Sequence, residues 1–114
     1  MELLRQEWIY IIQDVNMNRE DIKKIVYECV EDRFYNKEDF KTYITSKPND
    51  GENEFIYSEV NFDSLDMIEF LMNVEQKIRH KIKNQFIIED SFIDSEITLG
   101  KIIDYIYDRL NTNN

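Results

Sequence analysis

The chain has 114 residues, which is the size of a single domain. It carries 14 Lys and Arg against 24 Asp and Glu, so its formal net charge is −10. A chain this acidic, without a basic stripe, has little counterion release to drive nucleic-acid binding, and an anionic membrane surface repels it. We therefore expect no nucleic acid, no membrane insertion, and partners that present basic patches.

Several residue types are too scarce for familiar chemistry. The single cysteine, Cys29, cannot form an internal disulfide or a zinc cluster, which fits a reducing compartment, and we expect a cytoplasmic protein. His80 is the only histidine, and the two glycines, Gly51 and Gly100, cannot build a Gly-rich phosphate loop. The N-terminus lacks the pattern of a signal peptide, and no apolar run approaches the roughly 20 residues that span a bilayer.

Helical spacing of apolar residues recurs from the N-terminus onward and predicts an all-α fold. The first helix is predicted over residues 2–15, where Trp8 is either an anchor on the bundle or a docking element for a partner. Its apolar stripe is Leu4, Trp8, Ile11, Ile12 and Val15. A break at residues 16–18 precedes a second helix, whose stripe is Ile22, Ile25, Val26, Cys29, Val30 and Phe34. Because Cys29 falls on that stripe, we expect a buried residue and not a reactive thiol.

A long connection follows over residues 36–61. Phe40, Tyr43 and Ile44 predict a short helical turn on the core, and Asn49-Asp50-Gly51 predicts a tight turn. A calcium loop of the EF-hand type does not fit, because its third position would be Pro48 and its twelfth Tyr57.

Two further helices complete the prediction, over residues 64–83 and 98–110. Residues 86–92 between them are expected to form a loop with a short turn, and residues 111–114 a disordered tail. The predicted fold is a small antiparallel helical bundle with a long loop before the third of its long helices.

The helix over residues 64–83 has two apolar stripes where a bundle helix needs one. The first, a core face, is Met67, Phe70, Leu71, Val74 and Ile78. The second is Leu65, Ile68 and Met72, and it is bordered by the carboxylates of Asp66, Glu69 and Glu75. A second stripe ringed by acids indicates either a surface that another protein covers or a helix that is buried more deeply than average.

The start of this helix carries a motif. Asp63 and Ser64 are both strong N-cap types, and Asp66 adds a carboxylate to the first turn. Residues 59–70 read Glu-Val-Asn-Phe-Asp-Ser-Leu-Asp-Met-Ile-Glu-Phe, and this stretch resembles the Asp-Ser-Leu motif of the acyl carrier protein family with the acidic amphipathic helix that follows it. Residues 97–106 are similar to the start and finish of that family's last helix, and residues 21–34 to its first.

The resemblance extends from about Arg19 to Leu110, with departures. Asn61 stands where the family has Gly, and Asn is the next best residue for a left-handed backbone, so we expect the turn to survive. Val60 replaces the usual Leu, the loop before the motif is longer, and the helix after it is extended. The resemblance divides the chain into an extension helix at 1–17, a carrier domain at 18–110 and a tail at 111–114.

By this resemblance, Ser64 accepts a phosphopantetheine arm from coenzyme A, attached by a phosphopantetheinyl transferase that uses magnesium. The arm holds cargo as a thioester, and the carrier itself supplies no catalysis. Loading and condensing enzymes with basic patches would dock on the helix, in fatty acid, polyketide or nonribosomal peptide biosynthesis. The residues that would meet these partners are Asp63, Leu65, Asp66, Ile68, Glu69, Met72 and Glu75. The cargo, whether fatty acyl, polyketide, aminoacyl or D-alanyl, is left open.

Two other hypotheses remain. The chain is an interaction module that keeps the carrier fold and is never modified, in which case partner binding does not depend on Ser64. Alternatively, paired carboxylates such as Asp63 and Asp66 perform enzymatic acid–base chemistry, in which case the unmodified chain has turnover.

Overall fold

The computed structural model describes residues 17–34 and 36–112, and within them the fold is all-helical, as the periodicity predicts. Four α-helices are found there: α1 (Arg19–Glu31), α2 (Lys37–Thr45), α3 (Ser64–Ile82) and α4 (Leu99–Thr112). Short 3₁₀ turns lie at Pro48–Gly51 and Asp90–Phe92. The helix predicted over residues 2–15 lies outside the described residues. None of the helices in the described part combines the length and apolar character needed to cross a bilayer.

Helix α1 begins where its cap predicts. The Asn18 side chain accepts a hydrogen bond from the Asp21 N–H at 2.8 Å, and Glu20 and Asp21 place carboxylates at the positive end of the helix. The predicted stripe is buried at Ile22, Val26, Cys29 and Val30. Burial raises the pKa of the Cys29 thiol to about 11, so this residue is a core side chain and not a reactive thiolate.

The connection between α1 and α3 holds more helix than the sequence suggested. Helix α2 has nine residues, where a short turn was predicted, and it buries Phe40 and Ile44. Beyond it, Asn49, Asp50 and Gly51 all have positive φ, between 53° and 77°. A Cβ at Gly51 would overlap the Ile44 side chain, so glycine is favoured there on space as well as on conformation.

Helix α1 packs against both long helices of the C-terminal half. It runs antiparallel to α3, because Glu28 contacts Lys77 and Arg33 contacts Asp66. Helix α3 ends at Lys83, which takes a left-handed conformation. Helix α4 continues to Thr112, two residues beyond the predicted end, and the Thr98 hydroxyl accepts from the Lys101 N–H at 3.2 Å near its start.

The buried residue Glu52 links the segment between α2 and α3 to helices α1 and α4. The Glu52 side chain is 7% exposed, and it accepts two hydrogen bonds from Arg19, at 2.5 and 3.0 Å, and lies 3.0 Å from the Lys23 ammonium. Its backbone carbonyl accepts from the Gly100 N–H at 2.8 Å, where a Cβ on residue 100 would crowd it. Glu52 therefore joins α1, the loop before α3, and the start of α4.

Replacing Glu52 with Gln should lower the free energy of unfolding by about 2 kcal/mol at pH 7, since the largely buried Lys23 and the partly exposed Arg19 both lose their carboxylate. Bonding from Arg19 and Lys23 holds the pKa of Glu52 below its ordinary value, so its contribution is complete above about pH 4.3, the value of an unfolded Glu. The contribution disappears as pH falls through the folded pKa. Denaturant unfolding of Glu52→Gln and wild type at pH 7 and at pH 3 checks this.

The matched control is Glu96→Gln, which removes the same charge from an exposed loop position. Its effect at pH 7 should stay within about 0.5 kcal/mol. If Glu52→Gln and Glu96→Gln are equally stable at pH 7, or the Glu52 difference grows as pH falls, this account of Glu52 is wrong.

Candidate functional site

Two reciprocal hydrogen bonds fix the start of α3. The Asp63 carboxylate accepts from the Asp66 N–H at 2.8 Å, and the Asp66 carboxylate accepts from the Asp63 N–H at 3.1 Å. This is a capping box with Asp63 as the N-cap. Asn61 approaches it with φ 71°, the left-handed conformation expected for the residue that replaces Gly in the motif. Phe62, between them, is buried and packs on Phe70 with ring centroids 5.6 Å apart.

Ser64 is therefore the first residue of α3, and its side chain is exposed. Its hydroxyl makes no hydrogen bond to any residue that the structure describes. The first turn of a helix has backbone N–H groups without intrahelical acceptors and the positive end of the helix dipole. An accessible hydroxyl in this position can be covalently modified with an anionic group, which the free N–H groups and the helix dipole would stabilise.

Both stripes of α3 lie as predicted. The core face, Met67, Phe70, Leu71, Val74 and Ile78, is buried. The second stripe is on the surface: Leu65, Ile68 and Met72 are 61%, 56% and 53% exposed. The alternative of a helix buried all round is excluded by these exposures, and the "exposed stripe" below means these three residues.

An apolar cleft of about 530 Å³ lies next to Ser64. Helix α3 supplies its lining with Met67, Leu71 and Met72, and the 86–93 segment supplies Ile88 and Ile93; Ser64 itself contributes to the lining. The cleft shares Ile68 and Met72 with the exposed stripe, so the two form one continuous apolar surface that reaches the serine.

Two acids beside the exposed stripe, Asp66 and Glu69, form ion pairs within the chain. The guanidinium of Arg33, just after α1, donates to Asp66 at 2.7 Å and to Glu69 at 2.5 Å. Hydrogen bonding from Arg33 and from the backbone of Asp63 holds the pKa of Asp66 below its ordinary value. The Nε of Arg33 is buried and without a partner among the described residues. Arg33 is thus paired with two of the predicted docking carboxylates and offsets one of their two negative charges.

Glu75, the third acid of the predicted rim, also has internal partners. Its side chain is 15% exposed, and it accepts from the Ile88 N–H at 2.7 Å and from Arg79 at 3.2 Å. Glu75 therefore holds the 86–93 segment against α3 and closes one wall of the cleft. Its contact with a partner stays a prediction.

Acid–base catalysis by Asp63 and Asp66 fits this geometry poorly. Both carboxylates are engaged in the capping box, and hydrogen bonding lowers the pKa of Asp66. A general acid needs the opposite shift. Across residues 17–34 and 36–112, no group of three or more His, Cys, Asp or Glu is arranged to hold a metal ion.

Arg33 is the site residue that sequence reasoning missed. Its partners lie 33 and 36 positions away, so no local spacing connects them. A weak signal exists, since Arg33 is the only cation between Lys24 and Lys37 in a stretch that carries several acids. The pair of Glu75 with Arg79 has the i, i+4 spacing of a helical ion pair and could have been predicted, whereas the contact with the Ile88 N–H, 13 positions away, has no signal in the sequence.

Comparison with known proteins finds no matching family model, no matching curated protein and no matching solved structure.

The backbone at Asn61 provides a test of the turn that presents Ser64. Asn61→Val should destabilise the fold by about 1–2 kcal/mol, because a β-branched residue resists positive φ. Asn61→Gly should be nearly neutral or slightly stabilising, since glycine adopts this conformation freely. Thermal and denaturant unfolding of both variants measure the difference, and equal stabilities would contradict the left-handed conformation at this position.

The Arg33 contact can be tested through Asp66. In Arg33→Gln the pKa of Asp66 should rise towards about 3.9, the value of an unperturbed Asp, and stability should fall by about 1 kcal/mol. Carboxyl NMR titration of Asp66 reads the first quantity and denaturant unfolding the second. Lys37→Gln, which removes an exposed cation paired with Asp32 at 3.5 Å, should leave Asp66 unchanged. An Asp66 pKa that does not respond to Arg33→Gln would refute the pairing.

Proposed function

We propose that this chain is a carrier protein of the acyl carrier type, which holds its cargo as a thioester on a phosphopantetheine arm attached to Ser64. The observation that carries the proposal is the exposed, unbonded Ser64 hydroxyl at the first position of α3, within an Asp-Ser-Leu motif. The capping box and the left-handed turn at Asn61 support it, because together they present that hydroxyl to solvent.

The attachment is a group transfer to an oxygen nucleophile. The Ser64 Oγ bonds to the phosphorus of the phosphopantetheine unit of coenzyme A, the pyrophosphate bond breaks, 3′,5′-ADP leaves, and the hydroxyl proton passes to a base of the transferase. By the resemblance, a separate phosphopantetheinyl transferase catalyses this step; of the carboxylates near Ser64, Asp63 is engaged in the capping box and Asp66 in the box and with Arg33. The attached arm supplies a terminal thiol.

The surroundings of Ser64 suit a phosphodiester. The orphan N–H groups of the first turn and the helix dipole favour an anion there by about 0.3–1 kcal/mol. Asp63 and Asp66 oppose it, but Arg33, which is shared with Glu69, lies 2.7 Å from Asp66 and offsets part of its charge. The electrostatic repulsion between the phosphodiester and these carboxylates is therefore smaller than it would be without Arg33.

The cleft favours an apolar acyl cargo over an aminoacyl or D-alanyl one. Its lining is mainly methionine, leucine and isoleucine side chains, and it lies beside the attachment residue. An alkyl chain there would be shielded from water, which stabilises it by about 0.8 kcal/mol for each buried CH₂. A charged amino group would find one carboxylate in this lining, Glu75, and that carboxylate is already bonded to Arg79 and to the Ile88 N–H.

Partner enzymes would dock on the exposed stripe next to the serine. Leu65, Ile68 and Met72 offer an apolar contact, and Asp63 and Glu69 border it. Because Asp66 and Glu69 are paired with Arg33, a basic partner must compete with that arginine, so binding would depend more on apolar contact than the net charge of −10 suggests.

The direct test is modification of the purified chain with coenzyme A, magnesium and a transferase of broad specificity. Intact mass spectrometry should show one added phosphopantetheine group on the wild type and none on Ser64→Ala. Ser95→Ala, which removes another exposed serine hydroxyl, is the matched control and should be modified like the wild type. Failure of the wild type to gain the group, or a gain in Ser64→Ala, would refute the proposal.

A second candidate is an unmodified interaction module, and the exposed stripe favours it independently of Ser64. Three adjacent apolar side chains more than half exposed would bind a partner whether or not an arm is attached. In that case Ser64→Ala leaves partner binding intact, whereas Ile68→Ser in the stripe weakens it.

A further inference from the structure

The cleft beside Ser64 follows one face of α3. Ser64, Ile68, Leu71 and Glu75 all line it, and their spacing of i, i+4, i+7 and i+11 places them on the same side of the helix. Ser64 is the first and Glu75 the last residue of α3 in the lining. Because eleven residues of α-helix rise by about 16 Å, the cleft is elongated, with the serine at one end and the carboxylate at the other.

The end at Glu75 is closed by contacts between α3 and the 86–93 segment. The Glu75 carboxylate accepts from the Ile88 N–H at 2.7 Å, so its side chain crosses from one wall of the cleft to the other. Arg79, one turn further along α3, donates to the Phe86 carbonyl at 3.0 Å and joins the same two walls again. Of the described residues of α3, none beyond Glu75 lines the cleft. The cleft therefore ends at the hydrogen bond between Glu75 and Ile88, which we call the Glu75–Ile88 bridge.

The polarity of the lining changes at the same point. Between Ser64 and Glu75, α3 contributes only methionine, isoleucine and leucine side chains. Glu75 is the one charged residue among the described residues of the lining, and its side chain is 15% exposed and lies 3.2 Å from Arg79. An alkyl chain that extended past Glu75 would have to separate this carboxylate from its partners or turn out into water. Both alternatives cost free energy.

We propose that Glu75 limits the length of the apolar chain that the cleft can bury. Each CH₂ group between Ser64 and the Glu75–Ile88 bridge is removed from water, and CH₂ groups beyond the bridge gain nothing. The usable length is less than the rise of about 16 Å, because a helical side chain leans towards the N-terminus of its helix. For cargo on an arm at Ser64 this inference rests on the function proposed above, whereas the length of the cleft itself does not.

The inference narrows the class of cargo. A hydroxyl or amino group partway along the chain would face methionine and leucine side chains without a hydrogen-bond partner, which costs free energy. A longer alkyl chain would leave its end exposed to water. The cargo that fits is an alkyl chain without polar substituents that ends at or before the Glu75–Ile88 bridge.

The length limit can be measured on the unmodified protein with free alcohols. Neutral n-alcohols from butanol to dodecanol are titrated against N-phenyl-1-naphthylamine, a fluorescent apolar probe, bound to the wild type. Their affinity should rise about fourfold for each added CH₂ group and level off once the cleft is filled. An affinity that rises at every step up to dodecanol, or a protein that binds neither the probe nor the alcohols, would overturn the proposal.

Variants at Glu75 locate the limit. The side chains introduced by Glu75→Ala and Glu75→Thr are too short to reach the Ile88 N–H, so dodecanol should bind to both about tenfold more tightly than to the wild type, while butanol binds alike. Glu75→Gln keeps an acceptor for that N–H and should level off at the wild-type length. No gain in the two short variants, or an equal gain in Glu75→Gln, would contradict a limit at the bridge. Far-UV circular dichroism checks folding, and either short variant is sufficient.

The matched control is Glu38→Ala, which removes a carboxylate from an exposed position of α2 outside the cleft and should level off at the wild-type alcohol. Ser64 stays unmodified throughout, so this test is separate from that of the proposed function. A chain that does not accept phosphopantetheine refutes the carrier function and leaves the length limit standing. An alcohol series without a plateau refutes the length limit and leaves the modification of Ser64 standing.

Discussion

The reciprocal hydrogen bonds between Asp63 and Asp66 are the constraint on which the candidate site depends. They set Ser64 as the first residue of α3. If the helix began one residue later, its side chains would be turned by about 100° around the helix axis, and different residues would face the core. With the start at Ser64, the hydroxyl is exposed, Met67 and Phe70 face the core, and Leu65 and Ile68 face solvent. The left-handed residue Asn61 and the buried Phe62 bring the chain to this start from a fixed direction.

Ion pairs across the chain explain how an acidic protein keeps its helices together. Arg19 and Lys23 of α1 contact the buried Glu52, and Arg33, just beyond the other end of the helix, contacts Asp66 and Glu69. Each of these pairs satisfies acids that would otherwise repel one another in a chain of net charge −10. The consequence at the site is an apolar contact surface whose nearest acids are already engaged, which favours weak and reversible docking over strong electrostatic capture.

The features that sequence predicted are the local ones. The Asn18 cap, the two stripes of α3 and the left-handed conformation of Asn61 each follow from residues within one or two turns of each other, where spacing and side-chain type decide the outcome. The contacts of Arg33 and Glu52 could not be predicted, because they join residues about thirty or more positions apart and exist only once the helices pack. Helix α2 was underestimated since its polar residues weakened the periodic signal, although Asn36 caps it at 2.9 Å.

The carrier proposal is tested most directly by the mass of the chain isolated from the cells that make it. We predict a population carrying one phosphopantetheine group, located by fragmentation on the peptide that contains Ser64, part of it extended by an apolar acyl chain. A chain found only at its unmodified mass, or one whose modification maps to a residue other than Ser64, would contradict the account.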